Sequence, residues 1–307
     1  MLEMDDHLQT LSIEKQQTVA ELVKELEEIL LNDSRPERTF KIGTFASLPI
    51  CQALMTFLRK NQDVFAWSLE DMSGIDPLVM VHRLNVSPSF PLICQKKKVF
   101  AQKRDKSIAE EVCRLQDAKF IKEVYYLNWL TNVMMAKKVN GKWRMCVDFT
   151  DLNKAYPKDS YLFPRIDVLV DSIARHRLLS FMDAFSGNNQ IKLDEVDQEK
   201  TSFITNQGLI CYKVMSFGLK NTGAMYQRLI NKMFAHQIGR NVQVYVDNMP
   251  VKSQREDHHL EDLKETFDTL YSYNMKLNPS KCTLSVTVGK FLVFKGAFKS
   301  TQTRSGP

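Results

Sequence analysis

The sequence lacks the marks of several common protein classes. Its six cysteines, at positions 51, 94, 113, 146, 211 and 282, form no C-x-x-C pair and have no histidine at zinc-finger spacing. That argues against a zinc module and against a disulfide framework, and cysteines scattered singly fit a reducing compartment. No run approaches the roughly 18 apolar residues of a spanning helix, so no membrane partner is expected. The N-terminus, MLEMDDHLQT, is acidic where a secretory leader is basic and then apolar. No internal repeat and no low-complexity tract occurs. Charge is not strongly one-sided: 42 Lys and Arg face 36 Asp and Glu, a formal +6. Such a balance admits a nucleic-acid partner without demanding one. With 44% hydrophobic residues the composition is globular, and the length suits two domains or one lobed domain.

What is present is a chain of helices followed by short strands. In LSIEKQQTVAELVKELEEILL (11–31), Ile13, Val19, Leu22, Val23, Leu26, Ile29 and Leu30 recur at helical spacing. The spacing predicts an amphipathic helix that packs within the chain or on a partner helix, ended by Asn32 to Pro36. A second helix is expected from Leu48 to Gln62, and an extended segment from Ser73 to Pro91. QKKKVFAQKRDK (95–106) is strongly basic. It reads as a contact for a phosphate backbone, a nuclear localisation signal or a solvated surface. VMMAKKV and KWRMCVDF flank Asn140 and Gly141, a hairpin signal. Strands are predicted over 178–185 and 241–248, and helices over 222–238 and 256–276. The chain is therefore of the α+β class.

Two of these strands end in acids: Asp183 in FMDAF and Asp247 in YVDNM, the latter at an expected hairpin tip. An acid leading out of an apolar run is costly if unpaired. Two such acids brought together would suit a divalent cation, as phosphoryl transfer requires. The same pattern also fits ordinary turn residues or helix caps. The pair His258-His259 reads as part of a polar helix face, and Trp67, Trp129 and Trp143 as packing residues.

The words around these acids carry more information. NGKWRMCVDFTDLNKAYPKDS (140–160), LFPRIDVLVDS (162–172), SFMDAFSGNNQIKL (180–193), DQEKTSFITNQG (197–208), YKVMSFGLKNTGAMYQRLINKMF (212–234), VYVDNMPVKS (244–253) and MKLNPSKC (275–282) follow one another in order. Together they resemble the reverse transcriptase of gypsy-type LTR retrotransposons, most closely a plant lineage, over about residues 35–294. The resemblance implies a right-handed fingers-and-palm polymerase fold, with a helical N-terminal extension (1–34), a pre-polymerase linker (35–89) and fingers and palm (90–294). It implies RNA-directed DNA synthesis with Mg²⁺ or Mn²⁺, on an RNA or DNA template with a primer and deoxynucleoside triphosphates. By position in the motifs, Asp183 and Asp247 match metal-binding acids. Arg144, with Lys142 beside it, matches a contact to the incoming triphosphate. Ala184, Asn188, Phe217 and Gly218 match the nucleotide side, and Gln227 lies near the template.

The chain departs from the family at several of these words. Asn248 stands where the family has the second acid of its YVDD box, so three carboxylates become two. Asn188 replaces a tyrosine that excludes a 2′-hydroxyl, Ser216 a proline and Pro250 a leucine. Beyond residue 292 the expected continuation stops. Codons for Gly296 to Pro307 read in the neighbouring frame can spell it, which implies a frameshifted tail over 295–307, or a gene-model artefact, and a missing or incomplete thumb. Three functions compete: an impaired polymerase, a catalytically dead nucleic-acid-binding remnant, and a scaffold reused for protein interaction.

Overall fold

A computed structural model describes residues 26–30, 35–36, 38–43, 48–125, 127, 129–137, 141, 143–174 and 176–286. In chain order the strands are β1 (Leu26–Leu30), β2 (Thr39–Gly43), β3 (Val81–His82), β4 (Ile121–Glu123), β5 (Thr131–Lys137), β6 (Trp143–Val147), β7 (Leu178–Asp183), β8 (Lys192–Leu193), β9 (Phe203–Thr205), β10 (Gly208–Tyr212), β11 (Asn248–Ser253) and β12 (Thr283–Val286). They form two five-stranded sheets, ordered β1-β2-β12-β7-β11 and β4-β10-β9-β5-β6, and a small β3-β8 ladder.

The first sheet positions the acids. Its strand β7, LLSFMD, is covered on both faces. Met182 enters the main core with Phe40, Leu54, Phe65, Tyr226 and Phe267. Leu179 and Phe181 meet Leu169, Ile173 and Val286 on the other side. Side chains alternate along a strand, so Asp183 leaves the sheet on the face of Leu179 and Phe181. Helices Thr222–Met233 and His259–Ser272 supply the main core with Leu229, Ile230, Leu263, Phe267 and Leu270. Each such buried side chain contributes roughly 1.5–3 kcal/mol. The second sheet packs on helix Gln102–Asp117 through Ile108, Val112 and Leu115.

Several expectations need correction. Residues 26–30 are strand, not helix: LEEIL pairs antiparallel with β2, Leu26 with Gly43 through Leu30 with Thr39. Non-local pairing overrides a helical period in so short a stretch. The rest of the expected N-terminal helix, 11–25 and residue 31, lies outside the described residues, as does the 295–307 tail. The 35–89 segment, expected to precede the polymerase fold, contributes a strand and core residues where it is described. β2 pairs with β12, and Phe40, Ile42, Leu54, Leu58, Val64, Phe65 and Ile75 lie in the main core. The β5–β6 hairpin pairs Lys137 with Trp143. That register is offset by one residue from a two-residue Asn140-Gly141 turn, and residues 138–140 and 142 lie outside the described set.

The expected 241–248 strand is replaced by β11, which begins at Asn248. The arm before it pairs only through single bridges, Val242 with Val251 and Tyr245 with Asn248. Pro250 accounts for this. Its carbonyl accepts from the Gln243 N–H at 3.0 Å, but it has no N–H to return the bond. The missing donor faces the arm and not β7, so the β7–β11 ladder runs unbroken from Asn248–Asp183 to Ser253–Leu178.

Candidate active site

Asp183 and Asn248 are register partners on β7 and β11, and paired residues share a face of the sheet. Asp247 stands one residue away, at the tip of the hairpin. The tip is a tight turn in which Tyr245 and Asn248 exchange both backbone hydrogen bonds, at 3.0 and 3.1 Å. Its second residue, Val246, holds φ at +51°, a conformation rare for a β-branched side chain. Gln227 keeps it there. Its side-chain oxygen accepts the Val246 N–H at 2.7 Å, while its amide donates to Asn231 at 2.9 Å and to the Val244 carbonyl at 3.4 Å.

Three neighbours shape the two carboxylates. Burial raises the carboxyl of Asp183, the Lys281 ammonium lowers it and Asp247 raises it again, leaving it at about 6. The Lys281 ammonium lies 3.1 and 3.4 Å from its two oxygens. The amide of Asn248 donates to Asp247 Oδ1 at 3.3 Å, where a second acid would have repelled it. Beneath them Tyr226 is fully buried, and its hydroxyl is held far above the ordinary phenol value by burial and by the two aspartates. The turn after β7 passes so close that a Cβ at Gly187 would lie 2.8 Å from the Tyr226 ring, which only glycine allows.

The structure brings Asp183, Asp247 and Asn248 together. It places the other expected residues variously. Asn188 is partly buried in the 3₁₀ turn Gly187–Gln190 that follows Asp183. Ala184 is buried and bridges to Leu277, so its side chain belongs to the core. Gln227, expected near the template, is fully buried and its amide is spent on the hairpin. Arg144 stands exposed on the edge strand β6. Lys142 lies outside the described residues. Phe217 is 68% exposed. Beside it Gly218, at φ +95°, is clamped by a 2.7 Å bond from the Asn153 amide to its carbonyl. The basic run is exposed from Lys96 to Lys98 and at Lys103 and Arg104.

Other expectations fare differently. Trp129 packs on Phe90 with ring centroids 6.0 Å apart, and Trp67 lies under Arg38 at 4.4 Å. His259 is not on a polar helix face. It is buried, with Ser180 on Nε2 and Ser253 on Nδ1, each at 2.8 Å. Lys281, which contacts Asp183, lies in MKLNPSKC, and nothing in that motif by itself signals the contact.

A divalent ion would be held by Asp183 and Asp247. The fit rests on placement: Asp183 ends β7 opposite Asn248, and Asp247 stands at the adjoining hairpin tip, so two carboxylates stand at one end of the sheet. Among the described residues no group of three or more His, Cys, Asp or Glu is placed to hold a metal, so this donor set is poorer than three acids would be. No helix among the described residues is long and apolar enough to cross a membrane.

A sheet whose end carries Asp183 and, at the adjoining tip, Asp247, with a second sheet bearing the exposed Arg144 beside a basic segment and helix, has the arrangement of the palm and fingers of a right-handed polymerase. The fold is that of solved foamy viral protease–reverse transcriptases. One in complex with an RNA/DNA hybrid superposes with a TM-score of 0.75 at 18% identity, covering 84% of this chain and 34% of that one. Another, with double-stranded DNA, gives 0.72 at 18% identity over 86% of this chain and 46% of that one. Residues 135–296 match the family described as reverse transcriptase (RNA-dependent DNA polymerase), and the chain belongs to that family. It is 34% identical over 154 residues to the retrovirus-related Pol polyprotein from transposon 412 of Drosophila melanogaster, covering 50% of this chain and 12% of that protein. It is 32% identical over 164 residues to the Pol polyprotein from transposon gypsy of the same species, covering 52% and 16%. The chain thus spans less than a fifth of the length of these two relatives.

Proposed function

We propose that the chain is the reverse transcriptase portion of a gypsy-type LTR-retrotransposon Pol polyprotein of plant lineage, with a polymerase centre impaired by Asn248. The observation that carries this reading is the pairing of Asp183 with Asn248 across β7 and β11, with Asp247 at the adjoining tip. The reaction is addition of deoxynucleotides to a primer 3′ end on an RNA or DNA template. Asp183 and Asp247 would hold Mg²⁺ or Mn²⁺, which supplies activation of the attacking hydroxyl and neutralisation of phosphate charge. Arg144 and Lys142 bind the triphosphate, a task that suits a guanidinium fork. Phe217 and Gly218 face the nucleotide from a loop held by Asn153. Asn188 faces the sugar, where a small amide discriminates a 2′-hydroxyl weakly.

Asn248 keeps the shape of an acid and removes its charge. The loss of even an outer partner of a metal site costs roughly 10–100-fold, and a carboxylate next to the ions should cost at least as much. Primer extension by the chain and by Asn248→Asp, in Mg²⁺ and in Mn²⁺, tests this. The expected result is little or no extension by the parent and a gain of about tenfold or more on reversion. Robust extension by the parent would overturn the claim of impairment. A second reading, a catalytically silent nucleic-acid binder, is favoured by the two-carboxylate donor set. It predicts duplex binding with no extension from either protein. Exchanging Asn188 for Tyr in the reverted protein should sharpen the preference for deoxy- over ribonucleotides by about 1–3 kcal/mol, read from the two incorporation rates.

A further inference from the structure

We propose that Lys281 is a resident counter-cation of the carboxylate pair, and that a divalent ion takes Asp183 only by displacing it. The proposal rests on the reading that Asp183 and Asp247 bind such an ion.

Lys281 addresses both Asp183 oxygens, at 3.1 and 3.4 Å. The pairing is built into the backbone. The Asn278 N–H donates to the Asp183 carbonyl at 2.8 Å, and the Cys282 thiol reaches the same carbonyl at 3.9 Å. The turn is closed by the Lys281 and Cys282 N–H groups, both donating to the Asn278 carbonyl, at 3.2 and 3.0 Å. The loop that carries Lys281 is thus fastened to the residue its side chain neutralises.

The two partners differ in freedom. The Asp183 side chain is 16% exposed and sits at the end of a core strand, whereas that of Lys281 is 56% exposed. Lys281 can swing into water while Asp183 cannot follow, so the ammonium is displaceable in a way that a buried partner is not. Charge sets the consequence. With Asn248 neutral, Asp183, Asp247 and Lys281 sum to one negative charge. A divalent ion entering beside the ammonium would meet repulsion at contact range in place of a well of negative potential. The loss of the third acid therefore leaves Lys281 with a proportionally larger share in setting metal affinity.

The test is Mn²⁺ titration of the full chain, followed by electron paramagnetic resonance of the free ion, with no nucleotide or primer present. Lys281→Met and Lys281→Gln should each bind Mn²⁺ about tenfold more tightly than the parent, by removal of one contact-range positive charge. Lys281→Arg should stay within about twofold of the parent, and the gain should shrink as salt is raised. Asn248→Asp should tighten binding on its own. If Asn248→Asp tightens binding and neither neutral Lys281 variant does, the counter-cation proposal is overturned and the metal site stands. If no variant, Asn248→Asp included, binds Mn²⁺ saturably, the metal reading fails and the proposal falls with it.

Discussion

In the palm, Asp183 ends a strand covered on both faces, and Asp247 rides on a hairpin whose strained residue is pinned by a buried glutamine. In the fingers, Arg144 projects from an edge strand and the lysines from 96 to 98 lie open to solvent. The contrast teaches that the two regions answer to different physics. Palm geometry is paid for by packing, so a change near the acids alters stability and chemistry together. Fingers residues are loosely coupled to the core, so a change there should alter binding alone.

The largest effect that sharpens this comparison concerns two buried histidines. His259, under the palm sheet, is hydrogen bonded on both nitrogens. His82, on β3 beside the fingers core, is fully buried and neither ring nitrogen has a partner among the described residues. Burial lowers both to about 4, with Asp197 opposing it at His82 and Asp262 at His259. The unfolded chain takes up these protons near pH 6.5 and the folded chain only near 4. Between those values the unfolded state binds more protons, so stability falls as pH drops through this window, by up to about 3 kcal/mol per histidine. Urea denaturation at several pH values reads this directly, and a flat profile from pH 7 to 4 would refute it. The two should part on substitution. His82→Leu should be neutral or stabilising at pH 7, because it removes unsatisfied polar atoms. His259→Leu should cost about 1–3 kcal/mol by removing one hydrogen-bond partner from each of Ser180 and Ser253, which keep the Ser285 N–H and Asp262 respectively.

Next in size is Gln227→Leu. It strips the Val246 N–H of its partner in a partly buried setting and should cost about 1–3 kcal/mol, with a further loss of any extension activity as the hairpin relaxes. Denaturation midpoints beside primer-extension rates test this. Activity falling with no change in stability would point to direct template contact by Gln227 and break the palm half of the contrast.

Arg144→Ala is the smallest in stability, within about 0.5 kcal/mol of the parent, as expected for an exposed surface site. Its effect should appear in binding of a triphosphate. The companion change Lys97→Ala should weaken primer–template binding and reduce the slope of log affinity against log salt by about 1. A loss of stability from either variant, or a salt slope unaltered by Lys97→Ala, would break the fingers half of the contrast.

How much of this was legible depended on range. Helices at 48–60, 222–233 and 259–272 followed from apolar spacing, and β7 from its apolar run, because those signals are local. β1 departs from the helical period that LEEIL fits, and only its pairing with β2, seventeen residues on by the Leu26–Gly43 register, settles its state. Asp183 and Asp247 were legible as family words. Gln227 and His259 looked like surface or ligand-facing polar residues, since nothing in a linear sequence reports that a polar side chain is buried and satisfied.

The sequence by itself determined the residue types of the centre: two acids, an amide in the place of a third, and a proline where a donor would complete a ladder. Those are properties of covalent identity, and they travel with the motif. Only the tertiary structure decided that Lys281, ninety-eight residues from Asp183, meets its carboxylate. Only it decided that Gln227 holds a strained turn, and that the missing donor of Pro250 faces a loose arm and spares the β7 ladder. Each of these depends on strand register and loop closure, which arise from burying the shared core and have no signature in neighbouring residues.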